Sequence, residues 1–184
     1  MDYFVDIRVL PDPEFKETTL LNAVFAKLHR ELTALKETGI GVSFPNASST
    51  LGDKLRLHGS QNALEILMAT IWLKGLRDYT QNEGIEAVPE GCLFRSVRRV
   101  QLKSSAARLF RRSLSKGWID EDEAKQRVAT AREKRTKLPY LQLHSQSTGQ
   151  KFKLFIQQGR PNDSLLAGSF NAYGLSQTAT VPAF

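Results

Sequence analysis

The residues of this chain best suited to chemistry fall into two groups. The first is the run from Arg95 to Lys116, which carries eight basic residues and no acid. An ordinary solvated helix mixes signs to form i, i+4 pairs, so a run of one sign points to an anionic partner. The second group is small: His29, His58, His144 and the single cysteine, Cys92. One cysteine permits no intramolecular disulfide and no cysteine metal cluster, and three scattered histidines do not suggest a zinc site. An imidazole titrates near neutrality, so any one of the three could move a proton. By spacing alone His29, one position past the apolar Leu28, reads as an ordinary boundary residue of a helix.

The charge is divided unevenly. Residues 1–92 hold 9 Lys and Arg against 13 Asp and Glu, and residues 93–184 hold 17 against 6. A mildly acidic half is therefore joined to a strongly basic one, and a polyanion held mainly by the second half follows. Nucleic acid fits better than a membrane surface, because the basic helix lacks a broad apolar face. No apolar run approaches a membrane span, and the first residues alternate like a strand rather than a signal peptide. A reducing, cytoplasmic setting is the expectation.

The elements that must position these residues can be read from periodicity. Tyr3 to Leu10 alternates as a strand and is stopped by Pro11 and Pro13. Leu21, Val24, Leu28, Leu32 and Leu35 recur at helical spacing over Thr18 to Glu37, and the helix is expected to stop before Gly39. Ile40–Phe44 and Leu55–His58 read as short strands. Ser60 suits the N-cap of a helix holding Ala63, Ile66 and Leu67 and running toward Leu76. Ile85–Val88 is the fourth strand. The order β-α-β-β-α-β is the ferredoxin-like pattern that RNA-recognition domains also use.

Beyond a boundary near Pro89–Leu93, the basic run opens as a strand. Val97, Arg99 and Gln101 share one of its faces. Its second part reads as a helix capped by Ser104 or Ser105 and ended by Gly117, with Arg108, Arg112 and Lys116 at i, i+4, i+8 and Arg111 beside them. Asp120 caps a further helix that Pro139 ends. Tyr140–Ser145 and Lys151–Gln157 form a hairpin about Ser147-Thr148-Gly149, and a last strand covers Phe170–Leu175. The fold class is therefore α+β. A ferredoxin-like domain spans 1–93, and a smaller α+β domain with an arginine-rich helix and a β-hairpin spans 94–184.

Six ordered segments carry a resemblance: MDYFVDIRVLPDPEF, FAKLHREL, GIGVSFP, RRVQLKS, SQSTGQKFKLFI and the terminal YGLS…VP. Together they resemble the CRISPR-associated endoribonuclease of type I-F systems, the repeat-RNA processing enzyme of the Csy family. The resemblance implies a protein that binds the CRISPR repeat hairpin and cuts the precursor crRNA on the 3′ side of the stem. It implies no metal and no other cofactor: the upstream ribose 2′-OH attacks, leaving a 2′,3′-cyclic phosphate. It also implies retention of the mature crRNA and assembly with other subunits of the type I-F interference complex, from a free protein that is monomeric.

Carried over by position, the family's histidine falls on His29, where an imidazole can accept the 2′-OH proton. Its serine falls on Ser145, with Ser147 and Thr148 as rivals, and its tyrosine on Tyr173. A phenol, with a pKa of about 10, is better suited to positioning than to proton abstraction. Base reading falls on Arg99 and Gln101, the fork and the amide that suit guanine and adenine edges. Backbone contacts fall on Arg108, Arg111, Arg112 and Lys116. Ser115 and Lys116 stand where the family usually has arginines, and an ammonium is a point charge without arginine's planar fork. Phe152 matches the aromatic that stacks beneath the stem. It also shares a strand face with Leu154 and Ile156, so core packing is the competing reading. With only Gly168 and Gly174 near the C-terminus, no glycine-loop function is assigned. Two other readings stay open: a non-catalytic subunit that holds an RNA hairpin, and a DNA-binding protein.

Overall fold

The structure, a computed structural model, describes residues 1–101, 112–118, 120, 122, 136–145 and 148–184. Residues Met1–Val100 and Leu138–Phe184 form one compact unit, and Gln101–Lys137 a second.

The larger unit contains two four-stranded sheets. Strand β1 is Tyr3–Val9, helix α1 Glu17–Leu35, β2 Gly41–Ser43, β3 Lys54–Gly59, helix α2 Gln61–Ala69 and β4 Thr80–Ala87. The strand order β2-β3-β1-β4, antiparallel throughout, is the ferredoxin-like arrangement expected from the element order. Strands β5 (Leu93–Val100), β6 (Tyr140–His144), β7 (Lys151–Gln158) and β8 (Thr180–Ala183) form the second sheet in the order β6-β7-β5-β8. Both sheets are α+β in setting, as the sequence indicated.

Helix α1 forms because Leu20, Leu21, Val24, Phe25, Leu28 and Leu32 make one apolar stripe, and all six are buried. Each such side chain contributes about 1.5–3 kcal/mol through the apolar area it removes from water. The helix stops before Gly39, as expected, and ends at Leu35. Lys36 takes the left-handed conformation (φ 52°), and the Glu37 N–H donates back to the Leu32 carbonyl. In α2 the Ser60 hydroxyl accepts from the Ala63 N–H, as its position suggested. Ile66 is exposed, however, and Leu64 and Leu67 are the buried side chains. Strand β4 begins five residues before Ile85. Its polar start, Thr80 to Asn82, is an edge segment that pairs only with β1 and needs no apolar alternation.

The strand expected over Phe170–Leu175 is absent. The Asn171 side chain accepts from the N–H groups of Tyr173 and Leu175, and Gly174 has φ +67°, so the chain turns. The last strand is Thr180–Ala183 instead, paired with β5. The 170–184 segment covers one face of the first sheet. At Gly41 an added Cβ would stand 2.6 Å from Val181 Cγ1 and 2.8 Å from Phe170.

On that covered face Arg56 lies between the rings of Phe4 and Phe184, 4.5 and 4.0 Å from their centroids, and makes two hydrogen bonds to Asp6. RNA-recognition sheets present aromatics on this kind of surface for base stacking. Here the protein's own C-terminal segment occupies it.

In the smaller unit, Gly117 (φ +66°) closes a helical turn. Its N–H donates to the Leu114 carbonyl and the Trp118 N–H to the Ser113 carbonyl, the C-cap expected of that glycine. The Asp120 carboxylate accepts from the Asp122 N–H, as an N-cap does. Ser104, Ser105, Arg108, Arg111 and most of the helix after Asp120 lie outside the described residues.

Candidate active site

The site is built where α1 meets the second sheet. Asn22 on α1 accepts, through Oδ1, the N–H of Gln142 at 2.9 Å. Among the described residues β6 is an edge strand, so that N–H has no strand partner there and the helix supplies one. Between α1 and the sheet lies a cavity of about 1170 Å³, lined by His29, Arg99, Ser145, Phe152 and Tyr173 among others. Five of the residues singled out from sequence are therefore brought to one place. They come from α1, β5, the end of β6, β7 and the 171–175 turn.

His29 is half-buried, two turns before the end of α1. Its Nδ1 lies 2.8 Å from the Ala172 carbonyl oxygen. A carbonyl can only accept, so Nδ1 carries the proton, and in the neutral ring Nε2 bears the lone pair. The Tyr173 ring stacks on the imidazole, with centroids 3.9 Å apart and planes 12° apart. Phe25 backs Tyr173 from the core side at 6.3 Å. The tyrosine thus fixes the imidazole plane while the Ala172 carbonyl fixes its tautomer. This arrangement leaves one basic nitrogen on a ring that lines the cavity.

Ser145 follows β6 and opens the hairpin turn. Its Oγ accepts from the Thr148 N–H at 3.3 Å, and its carbonyl accepts from the N–H of Gly149, whose φ is +65°. Among the three hydroxyl candidates, Ser145 lines the cavity. Thr148 is exposed and contributes its backbone to holding Ser145, and Ser147 lies outside the described residues.

Arg99 stands opposite Ile156 in β5, and Val97 shares its face, as the alternation indicated. Strand β5 ends at Val100, one residue before Gln101, which is exposed. Phe152 packs against the buried core and also lines the cavity. In the smaller unit Arg112 is exposed, and the Lys116 ammonium sits 4.5 Å from the centroid of the exposed Trp118 ring.

Sequence reasoning did not single out Asn22, Arg30 or the Ala172 carbonyl. The one signal available was N-A-Y-G at 171–174, a turn sequence that the flanking aromatics made look like a strand. His144 also lines the cavity and was noted only as one of the three histidines.

Fold and site together define an α+β protein with ferredoxin-like topology. It holds an imidazole, a hydroxyl and a phenol around one cavity edged by arginine. The chain belongs to the CRISPR-associated protein (Cas_Csy4) family, whose model matches residues 4–184. It is 51% identical over 184 residues to the CRISPR-associated endonuclease Cas6/Csy4 of Escherichia coli (strain UTI89 / UPEC). It is 43% identical over 187 aligned positions to the CRISPR-associated endonuclease Cas6/Csy4 of Pseudomonas aeruginosa (strain UCBPP-PA14). Both matches cover 100% of each chain. Among the described residues, no helix is long and apolar enough to cross a membrane.

Proposed function

We propose that this protein is the endoribonuclease that cuts precursor crRNA at the base of the repeat hairpin, without a metal ion, and then keeps hold of the product. The observation that carries this is the state of His29: its Nδ1–H is committed to the Ala172 carbonyl, so Nε2 is the ring's basic atom. In the proposed reaction Nε2 takes the proton of the 2′-OH upstream of the scissile phosphate. The 2′ oxygen bonds to phosphorus as the bond to the 5′ oxygen breaks. A water proton neutralises the departing 5′ oxygen, giving a 2′,3′-cyclic phosphate and a 5′-OH.

Ser145 orients the 2′-OH by hydrogen bonding, and Tyr173 positions the imidazole. Arg99 and Gln101 read base edges of the stem, and Phe152 stacks beneath it. Arg108, Arg111, Arg112 and Lys116 grip phosphates. On this reading residues 1–93 supply the base and residues 94–184 supply the RNA grip. The bound product then joins the other subunits of the interference complex.

The test is cleavage of the cognate repeat RNA in excess EDTA. Product should form at an undiminished rate, with a cyclic phosphate at its 3′ end. His29→Ala should stop cutting while hairpin affinity stays within about threefold. An absolute need for Mg²⁺ would overturn the mechanism. Binding with no product under any condition would favour a non-catalytic hairpin-holding subunit.

A further inference from the structure

We propose that Arg30 is a further catalytic residue, whose guanidinium holds the non-bridging oxygens of the scissile phosphate and stabilises the charge that builds there during attack. This rests on the reading of His29 as the base. When the 2′ oxygen bonds to phosphorus, the phosphate gains a negative charge before the 5′ oxygen leaves. The groups already assigned do not meet that charge. Nε2 of His29 takes the proton, Ser145 orients the 2′-OH and the Tyr173 ring holds the imidazole. On a route without a metal ion, a cation at the phosphorus centre comes from the protein itself.

Arg30 is placed for this. It follows His29 on α1, with ~3.8 Å between the two Cα atoms, and both residues line the cavity. Neighbouring helix positions diverge by about 100°, so the long arginine stem approaches from beside the imidazole. Its planar fork matches two oxygens of one phosphate. Arg99, the other arginine of the cavity, comes from β5 and is assigned to a base edge, which leaves Arg30 for the phosphate.

Its charge is also uncompensated. An exposed helix arginine is ordinarily steadied by an acid three or four positions away. Arg30 has Ala26, Lys27, Thr33 and Ala34 there, and it forms no ion pair among the described residues. Ala26, Thr33 and Ala34 line the cavity with it, and none of the residues lining the cavity is acidic. The Thr33 hydroxyl is turned back on the helix, donating to the His29 carbonyl at 2.7 Å. Lys27 is engaged elsewhere, its ammonium donating to the Lys74 carbonyl at 2.7 Å. Small or self-satisfied neighbours thus leave one unpaired cation beside the base, in a cavity that presents it with no competing carboxylate.

The test is single-turnover cleavage of the cognate repeat hairpin, with affinity measured on the same hairpin carrying a 2′-deoxyribose at the attacking position, which cannot be cut. Arg30 is exposed, so Arg30→Ala should fold normally. It should cut about 10- to 100-fold more slowly, less than the loss of a buried oxyanion donor because solvent reaches the site. Its affinity for the uncut hairpin should stay within about threefold, since the stem contacts remain. Arg30→Lys, which keeps the charge without the fork, should recover part of the rate. Millimolar guanidinium chloride, compared with sodium chloride at equal ionic strength, should speed Arg30→Ala and leave His29→Ala inactive.

Cleavage by Arg30→Ala within about threefold of the unmodified rate overturns the proposal. So does a loss of affinity as large as the loss of rate, which would make Arg30 a binding contact only, or a rate that guanidinium does not raise. Failure of the underlying function looks different: the unmodified protein would make no product, or His29→Ala would cut at the normal rate. Either result removes the role of Arg30 with it.

Discussion

The imidazole of His29 and the phenol of Tyr173 are stacked at 3.9 Å between centroids, with 12° between planes. The two residues are 144 positions apart in the chain, on a helix and a turn. Under the proposed function Tyr173 positions the imidazole, and the two halves of its side chain can be tested apart. Tyr173→Phe keeps the stacked ring and should retain cutting within about threefold. Tyr173→Leu loses it and should slow single-turnover cleavage by about 100-fold, the effect of misplacing a catalytic group by about an ångström. A Phe variant as slow as the Leu variant would show that the hydroxyl, not the ring, does the work.

Gly174 carries the next prediction. Its φ is +67°, and an added Cβ would stand 2.5 Å from Val42 Cγ1. Its carbonyl also accepts from the Val42 N–H, which ties the turn to the free edge of β2. Gly174→Ala should therefore lower stability by about 1–3 kcal/mol, measured by denaturant unfolding. It should also slow cutting, because Ala172 and Tyr173 move with the turn. Normal cleavage in this variant would mean that the turn does not set the imidazole.

Asp6 and Arg56 form a buried pair, 2% and 7% exposed. Burial pushes the Asp6 carboxyl up, but hydrogen bonds and charge from Arg56 and Lys54 outweigh it, and the net shift is downward. Asp6→Ala leaves Arg56 buried without its carboxylate and should cost about 3–5 kcal/mol in urea unfolding. Replacing both residues with apolar ones of similar size should cost much less.

Acid should destabilise the protein well before carboxylates usually protonate. His58 is fully buried, with Nε2 2.8 Å from the Ser43 hydroxyl, and burial chiefly, with the Arg56 charge, pulls its pKa down to about 3. Its folded pKa lies below the unfolded value of 6.5, so between the two the unfolded chain binds the extra proton. Stability is then complete above pH ~6.5 and falls toward pH ~3 by about 1.4 kcal/mol per unit. The lowered Asp6 pKa adds a loss in the same direction below its ordinary 3.8. Urea midpoints measured from pH 7.5 down to 4.5 should fall in the wild type, and less steeply in His58→Gln if that variant folds. Equal midpoints at pH 7.5 and 5 in the wild type would rule this out.

Arg99 separates base reading from simple charge. Arg99→Ala should cost about 1–3 kcal/mol on the cognate hairpin and relax discrimination at one base pair. If every RNA weakens by one common factor and the salt slope flattens, Arg99 is a phosphate contact.

Much of the fold was legible because local patterns and tertiary demands agree. The stripe from Leu21 to Leu32, the alternation of Tyr3 to Val9 and the Ser60 cap each report a face or an end that neighbours then use. Where they disagree, the sequence misled. Asn171–Leu175 looks like a strand but turns, because side-chain hydrogen bonds from Asn171 and a left-handed glycine satisfy its backbone locally. Polar Thr80–Asn82 lacks strand alternation and lies before the strand expected at Ile85–Val88, yet it pairs, because an edge strand needs only one neighbour.

The site divides the same way. By itself, the sequence determined residue types and their order: an imidazole after Leu28, a hydroxyl at the hairpin, a phenol before Gly174 and arginines in a basic half. Periodicity also placed Arg99 on a strand face. Only the tertiary structure decided that these residues share a cavity, that the Ala172 carbonyl selects the His29 tautomer, and that Tyr173 lies flat against the ring. The reason is physical. Periodicity reports which face of an element is buried, whereas a hydrogen bond between residues 143 positions apart depends on how elements pack, and no local pattern encodes that.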